Sequence, residues 1–260
     1  MSSSVAVLST AQRAAPAGSF ATLIGSDPPQ QPTASSRSSL LAVVAHEIRN
    51  PLASLRLSLD MLVHDFDDLP NDKALDLIKR AQRNVAWLDD LTGNLTSAAA
   101  LEAGQLTVRD TALDVEACIQ EAIELVQGLL AQRGQTVRVN AAATPETVQG
   151  DPARVTQVIA NLLSNASRYS VEGDTIEVHV TAAAQHVRVR VTDHGPGISP
   201  DDQRRIFSAW VRGESAAPGG LGLGLSIVQN LVQRLGGRVG VDSTLGQGAT
   251  FWFTLPTCQA

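Results

Sequence analysis

The residues with the plainest chemistry in the sequence are His46 and Glu47, which are followed closely by Pro51. A neutral imidazole is a nucleophile, and a neighbouring carboxylate can orient it and accept its proton. A proline inside a helix removes a backbone hydrogen bond, so we predict a bend within about one turn of His46. Asn50 lies four residues after His46 and therefore on the same helix face. These residues together predict a nucleophilic site on a helix.

Hydrophobic residues around the histidine recur in alternating steps of three and four, which is typical of a seam buried between packed helices. The two series of this seam are Leu41, Ile48, Leu55 and Leu62, and Ala45, Leu52, Leu59 and Phe66. His46 falls one residue beyond a seam position, so its ring should lie at the rim of the helix. A histidine on a helix is usually a surface residue without a special role, and only the combination with Glu47 and Pro51 favours chemistry.

A second set of polar residues lies on another predicted helix. Asn161 and Asn165 are four residues apart, so both amides lie on one helix face. Amide oxygens are hard ligands suited to Mg²⁺, which also binds water and phosphate oxygens. Arg168 follows about one turn later, where it could meet phosphate oxygens. From these residues alone, a face of asparagines that merely contacts solvent is an equally open alternative.

Two glycine-containing segments could bind other parts of a nucleotide. Asp193 follows a predicted strand, and a carboxylate there can accept a hydrogen bond from the exocyclic amine of adenine. Gly195 and Gly197 would let the backbone approach the base, although an ordinary glycine turn shows the same pattern. The loop Gly219–Leu225 runs straight into a helix, whose N-terminal N–H groups and dipole favour an anion. It is neither a Rossmann fingerprint nor a Walker loop, because no strand feeds it and no Gly-Lys-Ser/Thr follows.

Spacing and turn signals predict the elements that hold these residues. Residues 1–37 are rich in Ser, Ala, Pro, Gly and Gln, which suits a flexible arm. Helices at about Ser38–Asp65 and Asp72–Ala100 would form a hairpin within residues 38–103. One hairpin cannot cover the apolar stripe of each helix, so we predict that two hairpins pair into a four-helix bundle and that the protein is a homodimer.

Residues 104–260 have the pattern of a second domain of the α+β class, with helices on one face of a sheet. A helix should start at Asp151 and Pro152, and another should end at Gly134. The predicted helices are Asp114–Gln132, Asp151–Tyr169, Asp201–Phe207 and Leu223–Leu235. The predicted strands are Leu106–Arg109, Val137–Asn140, Thr147–Gln149, Thr175–Ala182, His186–Thr192, Val239–Asp242 and Ala249–Leu255.

Composition excludes several classes of protein. The formal net charge of -6 argues against a nucleic-acid surface. No apolar run approaches the ~18 residues that a membrane span needs, and no signal peptide opens the chain. The two cysteines have neither metal nor disulfide spacing, which favours a reducing compartment. We therefore expect a cytoplasmic protein without a membrane segment and without a nucleic-acid partner.

The stretch from His46 to Leu52 resembles the phosphoacceptor box of sensor histidine kinases, whose usual form is His-Glu-(Ile/Leu)-Arg-(Thr/Asn)-Pro-Leu. The order and spacing of Asn161–Tyr169, Asp193–Ile198 and Gly219–Leu225 resemble the ATP-binding domain, or Bergerat fold, shared by histidine kinases, gyrase, Hsp90 and mismatch-repair ATPases. The resemblance covers about residues 38–256. It implies an α+β multidomain protein, in which a dimeric four-helix bundle is followed by an α/β sandwich that binds ATP and Mg²⁺.

The resemblance also implies roles for single residues of the helical hairpin and of the metal site. His46 would be the phosphoacceptor and Glu47 the general base. Asn50 would position a water that hydrolyses the phosphoaspartate of a partner. Asn165 would bind Mg²⁺, with support from Asn161.

The same resemblance assigns the remaining contacts with the nucleotide. They would be made by Arg168, Tyr169, Asp193, Gly195, Gly197, Ile198, Arg212, Gly220, Leu221, Gly222, Leu223 and Gly224. Residues 199–219 would form a lid over the nucleotide. Trp210 stands where a second Phe is commoner in the family, which leaves the packing of the lid open.

The implied activity is ATP-dependent phosphorylation of His46, followed by transfer to an aspartate of a response regulator, with a phosphatase activity toward that regulator. One alternative is a degenerate binding module that only docks a regulator or dephosphorylates it. Another is an ATPase or protein-serine kinase with the same nucleotide fold. We expect the signal to reach the chain through its arm, through a separate sensor partner or through a longer protein.

Overall fold

The structure is a computed structural model and describes residues 34–64, 69–104, 107–141, 148–183, 185–211 and 222–257.

Two long helices form the predicted hairpin. α1 (Ala34–His64) begins four residues before the predicted start and continues through Pro51, while α2 (Asn71–Glu102) extends the predicted range by one or two residues at each end. A hydrogen bond from Asn84 Nδ2 to Ser54 Oγ, 3.1 Å long, joins the two helices. The predicted helix end at Asp65 and the seam residue Phe66 lie outside the described residues.

The second domain alternates short strands and helices. Its elements are β1 (Thr111–Leu113), α3 (Val115–Gln132), β2 (Thr136–Ala141), β3 (Val148–Gly150), α4 (Pro152–Tyr169), β4 (Thr175–Ala183), β5 (His186–Asp193), α5 (Pro200–Arg205), α6 (Gly224–Arg234), β6 (Val239–Ser243) and β7 (Ala249–Pro256). Apart from the first strand, they overlap the elements that the sequence predicts.

A mixed sheet forms one layer of this domain, in the strand order β2-β4-β5-β7-β6. β2 runs parallel to β4, and the other neighbours are antiparallel. Alternate residues of the central strand, Val187, Val189 and Val191, are buried together with the inner faces of α3, α4 and α6. The apolar faces that result from the two-residue repeat of the strands and the roughly four-residue repeat of the helices thus pack together in a single core. The predicted α/β sandwich is confirmed.

Side-chain caps fix the ends of the two helices that carry most of this core. Asp114 accepts hydrogen bonds from Glu116 N and Ala117 N at the start of α3. Asp151 accepts one from Ala153 N at the start of α4, as predicted from the sequence. Gly134 follows the end of α3 with φ of 62°, the left-handed conformation that this helix end requires.

The predicted strand at Leu106–Arg109 is wrong. Leu106 lies outside the described residues, and residues 107–110 form no strand; the chain pairs later, at β1, where Leu113 faces Val148 of β3. The Arg109 N–H donates instead to the carboxylate of Asp151, 3.1 Å away. The apolar alternation of Leu106 and Val108 resembles a strand, but a strand forms only where a partner edge is available.

Candidate functional site

A cleft of about 740 Å³ lies beside α4, between the loop that follows β5 and the start of α6. The cleft brings together ten of the residues that the sequence singled out, from three separate segments of the chain. These are Asn161, Asn165, Arg168, Tyr169, Asp193, Gly197, Ile198, Gly222, Leu223 and Gly224. Arg212, Gly220 and Leu221 lie outside the described residues, as do residues 212–219 of the predicted lid.

Asp193 is the most buried acid among the described residues that line the cleft, with a relative exposure of 3% at the end of β5. Its Oδ1 accepts hydrogen bonds from Gly195 N at 2.9 Å and from Ala249 N at 3.3 Å. Burial raises the pKa of Asp193 above its ordinary value, and these two N–H groups offset only part of that effect. Its Oδ2 accepts no hydrogen bond from the described residues, so it can accept one from an amine in the cleft.

A histidine hydrogen-bonded to a second carboxylate lies next to this acid. Nδ1 of His194 lies 3.2 Å from both carboxylate oxygens of Asp174. Although burial by itself would raise the pKa of Asp174, hydrogen bonds that include those from Thr175 N and His194 hold it below the ordinary value. His194 and Asp174 do not line the cleft, whereas Asp193 does.

The loop after Asp193 requires glycine at Gly197. Its φ is 74°, and a Cβ there would lie 2.2 Å from the carbonyl oxygen of Thr244. A side chain would therefore push the loop away from the segment that joins β6 to β7. The glycines were expected to let the backbone approach a base. The close approach seen at Gly197 is to the protein backbone at Thr244, and the approach to a base stays a prediction.

The asparagines of α4 supply the polar wall of the cleft. Nδ2 of Asn161 is buried and has no hydrogen-bond partner among the described residues. A buried polar group left unpaired in this way is explained by a ligand or water that binds it. Asn161 and Asn165 offer amide oxygens that suit Mg²⁺ together with phosphate oxygens and water. No cluster of three or more His, Cys, Asp or Glu that could hold a metal occurs in the described part of the chain.

The start of α6 forms one end of the cleft. Gly222, Leu223 and Gly224 line the cavity, and the N-cap residue Leu223 makes no side-chain capping bond. The first N–H groups of the helix and its dipole are therefore directed at the cleft without a capping side chain.

The base of the predicted lid is held by aromatic residues. Phe207 is buried and meets Phe251 edge to face, with ring centroids 6.3 Å apart. Trp210 has φ of 68°, unlike every other non-glycine residue that the structure describes, and its N–H donates to Gly222 O at 3.1 Å. This sparsely populated conformation lies next to the glycine loop, at a position where local strain is often tied to function.

His46 is exposed on α1, as the sequence predicts, and it does not line the cleft. Nδ2 of Asn50 lies 3.3 Å from Nε2 of the ring. Because an amide nitrogen can only donate, Nε2 accepts and a neutral ring carries its proton on Nδ1. Glu47 is half-buried and makes no hydrogen bond to His46 within the described residues.

Part of the cleft wall is absent from the sequence prediction. Ala249 N–H reaches Asp193 from the start of β7, and Trp87, Leu91 and Asn94 of α2 face the cleft from the hairpin. Ser97 of α2 accepts a hydrogen bond from Gln157 Nε2 of α4, 2.8 Å long. The closely spaced glycines Gly246 and Gly248 were the signal available for the first contact. No local pattern of residues predicts the contacts that α2 makes with the cleft and with α4.

A helical hairpin with an exposed histidine, joined to an α/β sandwich with an acid-and-glycine cleft, defines the catalytic core of a histidine kinase. Residues 36–104 match the family described as His Kinase A (phospho-acceptor) domain. Residues 150–259 match the family described as Histidine kinase-, DNA gyrase B-, and HSP90-like ATPase. The chain belongs to the sensor histidine kinases.

Three known proteins show how far the similarity extends. Sensor histidine kinase GacS of Pseudomonas protegens is 31% identical over 84% of this chain and 24% of its own length. Signal transduction histidine-protein kinase/phosphatase MprB of Mycolicibacterium paratuberculosis is 32% identical over 84% of this chain and 42% of its own length. The crystal structure of full-length ShkA in complex with AMPPNP has a TM-score of 0.60 at 29% identity, covering 86% of this chain and 46% of ShkA. The chain thus spans less than half of each.

Within the described residues, no helix combines the length and the apolar character that crossing a bilayer requires.

Proposed function

We propose that this protein is an ATP-dependent protein-histidine kinase that phosphorylates its own His46. One observation carries the proposal: a single cleft joins the buried Asp193, the amides of Asn161 and Asn165, and the start of α6. Asp193 Oδ2 would accept from the exocyclic amine of adenine, and the first N–H groups of α6 would bind phosphate oxygens. ShkA, whose solved structure contains an ATP analogue, supports ATP as the nucleotide.

Mg²⁺ fits the amide donors of the cleft and is part of the proposal. Asn165 would hold it through its amide oxygen with support from Asn161, whose buried and unpaired Nδ2 would donate to a phosphate oxygen or a water. The bound ion would neutralise phosphate charge. Arg168, which also lines the cleft, would add a second positive charge near the phosphates. The proposed roles of Tyr169, Gly195 and Ile198 are contacts around the base.

The proposed transfer takes place at Nε2 of His46. That atom accepts from Asn50 in the structure, so the amide must turn away before the lone pair can attack the γ-phosphorus. The new N–P bond forms as the bond from phosphorus to the bridging oxygen of ADP breaks. Glu47 would take the Nδ1 proton, which leaves a neutral phosphohistidine. The phosphoryl group would then pass to an aspartate oxygen of a response regulator.

His46 does not line the cleft, so the transfer requires the two domains to move. The contact between Ser97 and Gln157 and the buried side chain of Leu91 hold α2 against the second domain in this arrangement. We infer that these contacts open when the nucleotide is carried to the histidine. The domain limits 1–37, 38–103 and 104–260 stay predictions.

The proposed enzyme is a homodimer. Two seam positions on each helix of the hairpin remain exposed in the single chain: Leu52 at 47%, Leu59 at 48%, Ile78 at 43% and Val85 at 45%. They lie seven residues apart within each helix, which is the repeat of a helical seam. A second hairpin packed on this face would bury them.

A phosphatase activity toward the phosphorylated regulator is the second proposed function. Asn50 lies one turn from the phosphoacceptor, with its amide 3.3 Å from the ring. An amide in that position can hold a water near a phosphoaspartate docked at the histidine. MprB, whose name includes both kinase and phosphatase, supports this assignment.

Incubation with γ-labelled ATP tests the kinase proposal. We expect an acid-labile, base-stable label on the protein that is lost in His46→Gln. His64→Gln is the matched control, because His64 is exposed on the same helix and its ring contacts only the backbone of Asp60 within the described residues. Acid-stable serine phosphate would favour the serine-kinase alternative, and free phosphate without labelled protein would favour an ATPase.

A further inference from the structure

The orientation of the Asp193 carboxylate depends on a segment far away in the chain. One of the two N–H groups that hold its Oδ1 belongs to Gly195, two residues on, and the other belongs to Ala249, at the start of β7. Ala249 pairs with Asp193 of β5 and with Ser243 of β6, and its position also depends on residues 244–248, which connect β6 to β7. The orientation of the acid in the cleft therefore follows the position of this connection.

The connection and the loop after Asp193 touch backbone to backbone. Gly246 N donates to Pro196 O at 2.7 Å. Gly248 has φ of 80°, and a Cβ there would lie 2.0 Å from the carbonyl oxygen of Asp193. Because the two backbones are in direct contact, a displacement of one loop must also displace the other.

Two side chains hold these loops in register. The Ser243 hydroxyl accepts from Ile198 N at 2.9 Å and donates to Gly248 O at 2.6 Å, so it bridges the loops at the residue before Ala249. Nε2 of Gln203, on α5, donates to Ile198 O at 2.8 Å and to Ser243 O at 2.9 Å. Both side chains are half-buried, which strengthens hydrogen bonds that solvent would otherwise replace.

We propose that Ser243 and Gln203 are positioning residues for recognition of adenine, because they fix the two loops that aim the Asp193 carboxylate. Neither side chain needs to touch the nucleotide. Ser243 places Gly248 and hence Ala249 N–H, while Gln203 connects the same junction to α5, which lies within the first part of the predicted lid. The inference rests on the proposed binding of ATP and adds residues that set its base specificity.

The test measures the affinities of the intact chain for ATP and for GTP by titration calorimetry, and it compares the ratio of the ATP affinity to the GTP affinity between variants. In Ser243→Ala we expect the affinity for ATP to fall about tenfold, the usual effect of one hydrogen bond at a buried site, while that for GTP stays constant. Ser243→Thr, which keeps the hydroxyl, should recover most of the loss. Gln203→Ala should lower the same ratio, and it replaces Ser243→Ala if that variant does not fold.

Thr250→Val is the matched control, because it removes a hydrogen bond of the same sheet, 3.0 Å to Thr192, without touching either loop. We expect it to leave the ratio of the two affinities unchanged. An unchanged ratio in Ser243→Ala, or an equal loss of ATP and GTP binding, would overturn the inference alone. A wild-type protein that binds no ATP would overturn the proposed function first, so the two failures are distinguishable.

Discussion

Asp193 meets two opposing demands, because it is buried and yet must be negatively charged to accept strongly from an amine. Burial raises its pKa, and the N–H groups of Gly195 and Ala249 compensate in part. Protonation removes the charge, so lowering the pH through this raised pKa should weaken the binding of ATP. The loss should set in at a higher pH than an aspartate in water would give.

Calorimetry with ATP over a pH series from neutral to acidic measures this effect. In Asp193→Asn we expect weaker binding at neutral pH, by at least tenfold, and no pH dependence beyond that of the nucleotide itself. Asp242→Asn, at an exposed position of β6, should behave as the wild type does. If Asp193→Asn keeps the full pH dependence of the wild type, another group titrates and the role of Asp193 is wrong.

Asn50 contacts the ring of His46, and replacing it should separate the proposed kinase and phosphatase activities. In Asn50→Ala we expect the regulator to lose its accelerated dephosphorylation, because the amide that holds the water is gone. Phosphorylation of His46 should persist, since Nε2 then lacks a competing donor. The lifetime of the phosphorylated regulator and the acid-labile label on the kinase are the two measurements. Unchanged acceleration of dephosphorylation would rule out the role.

At the scale of elements, the aspartate N-caps of α3 and α4 differ in what their loss exposes. Asp114 caps α3 and is exposed, whereas Asp151 is buried and accepts from Ala153 N as well as from Arg109 N. Asp114→Ala should lower the free energy of unfolding by about 1 kcal/mol. Asp151→Ala should lower it by about 2–3 kcal/mol, because it also leaves the Arg109 N–H unpaired.

Urea unfolding followed by circular dichroism compares these two cap variants. Asp151→Ala should also weaken ATP binding, because α4 carries Asn161 and Asn165 into the cleft. Equal losses of stability in the two variants would show that the contact with Arg109 contributes nothing.

At the scale of the whole molecule, the exposed seam of the hairpin leads us to expect a dimer, in which a second hairpin covers it. Leu59→Asp and Val85→Asp would each place a charge in the proposed interface, where burial without a partner is costly. We expect either variant to shift the protein from dimer to monomer in light scattering coupled to gel filtration. Val171→Asp is the control, because Val171 is also exposed, at 63%, but lies on the second domain. A dimer that survives both hairpin substitutions would contradict the proposed bundle.

The sequence by itself determined the elements whose causes are local. Helix hydrogen bonds join residues four apart, so the apolar period, the end signal at Gly134 and the cap at Asp151 predicted α3 and α4 nearly to the residue. The same local geometry predicted that Asn161 and Asn165 act together, because residues four apart share a helix face. Asp193 ends a strand whose alternation is clear.

Only the tertiary structure decided which distant backbones meet. The strand expected at Leu106–Arg109 formed at Thr111–Leu113 instead, because the position of its partner β3 chooses the register. The second donor to Asp193 comes from Ala249, and part of the cleft wall comes from α2 of the hairpin. These contacts join residues far apart in the chain, and their geometry follows from how the layers pack, which no local pattern of residues records.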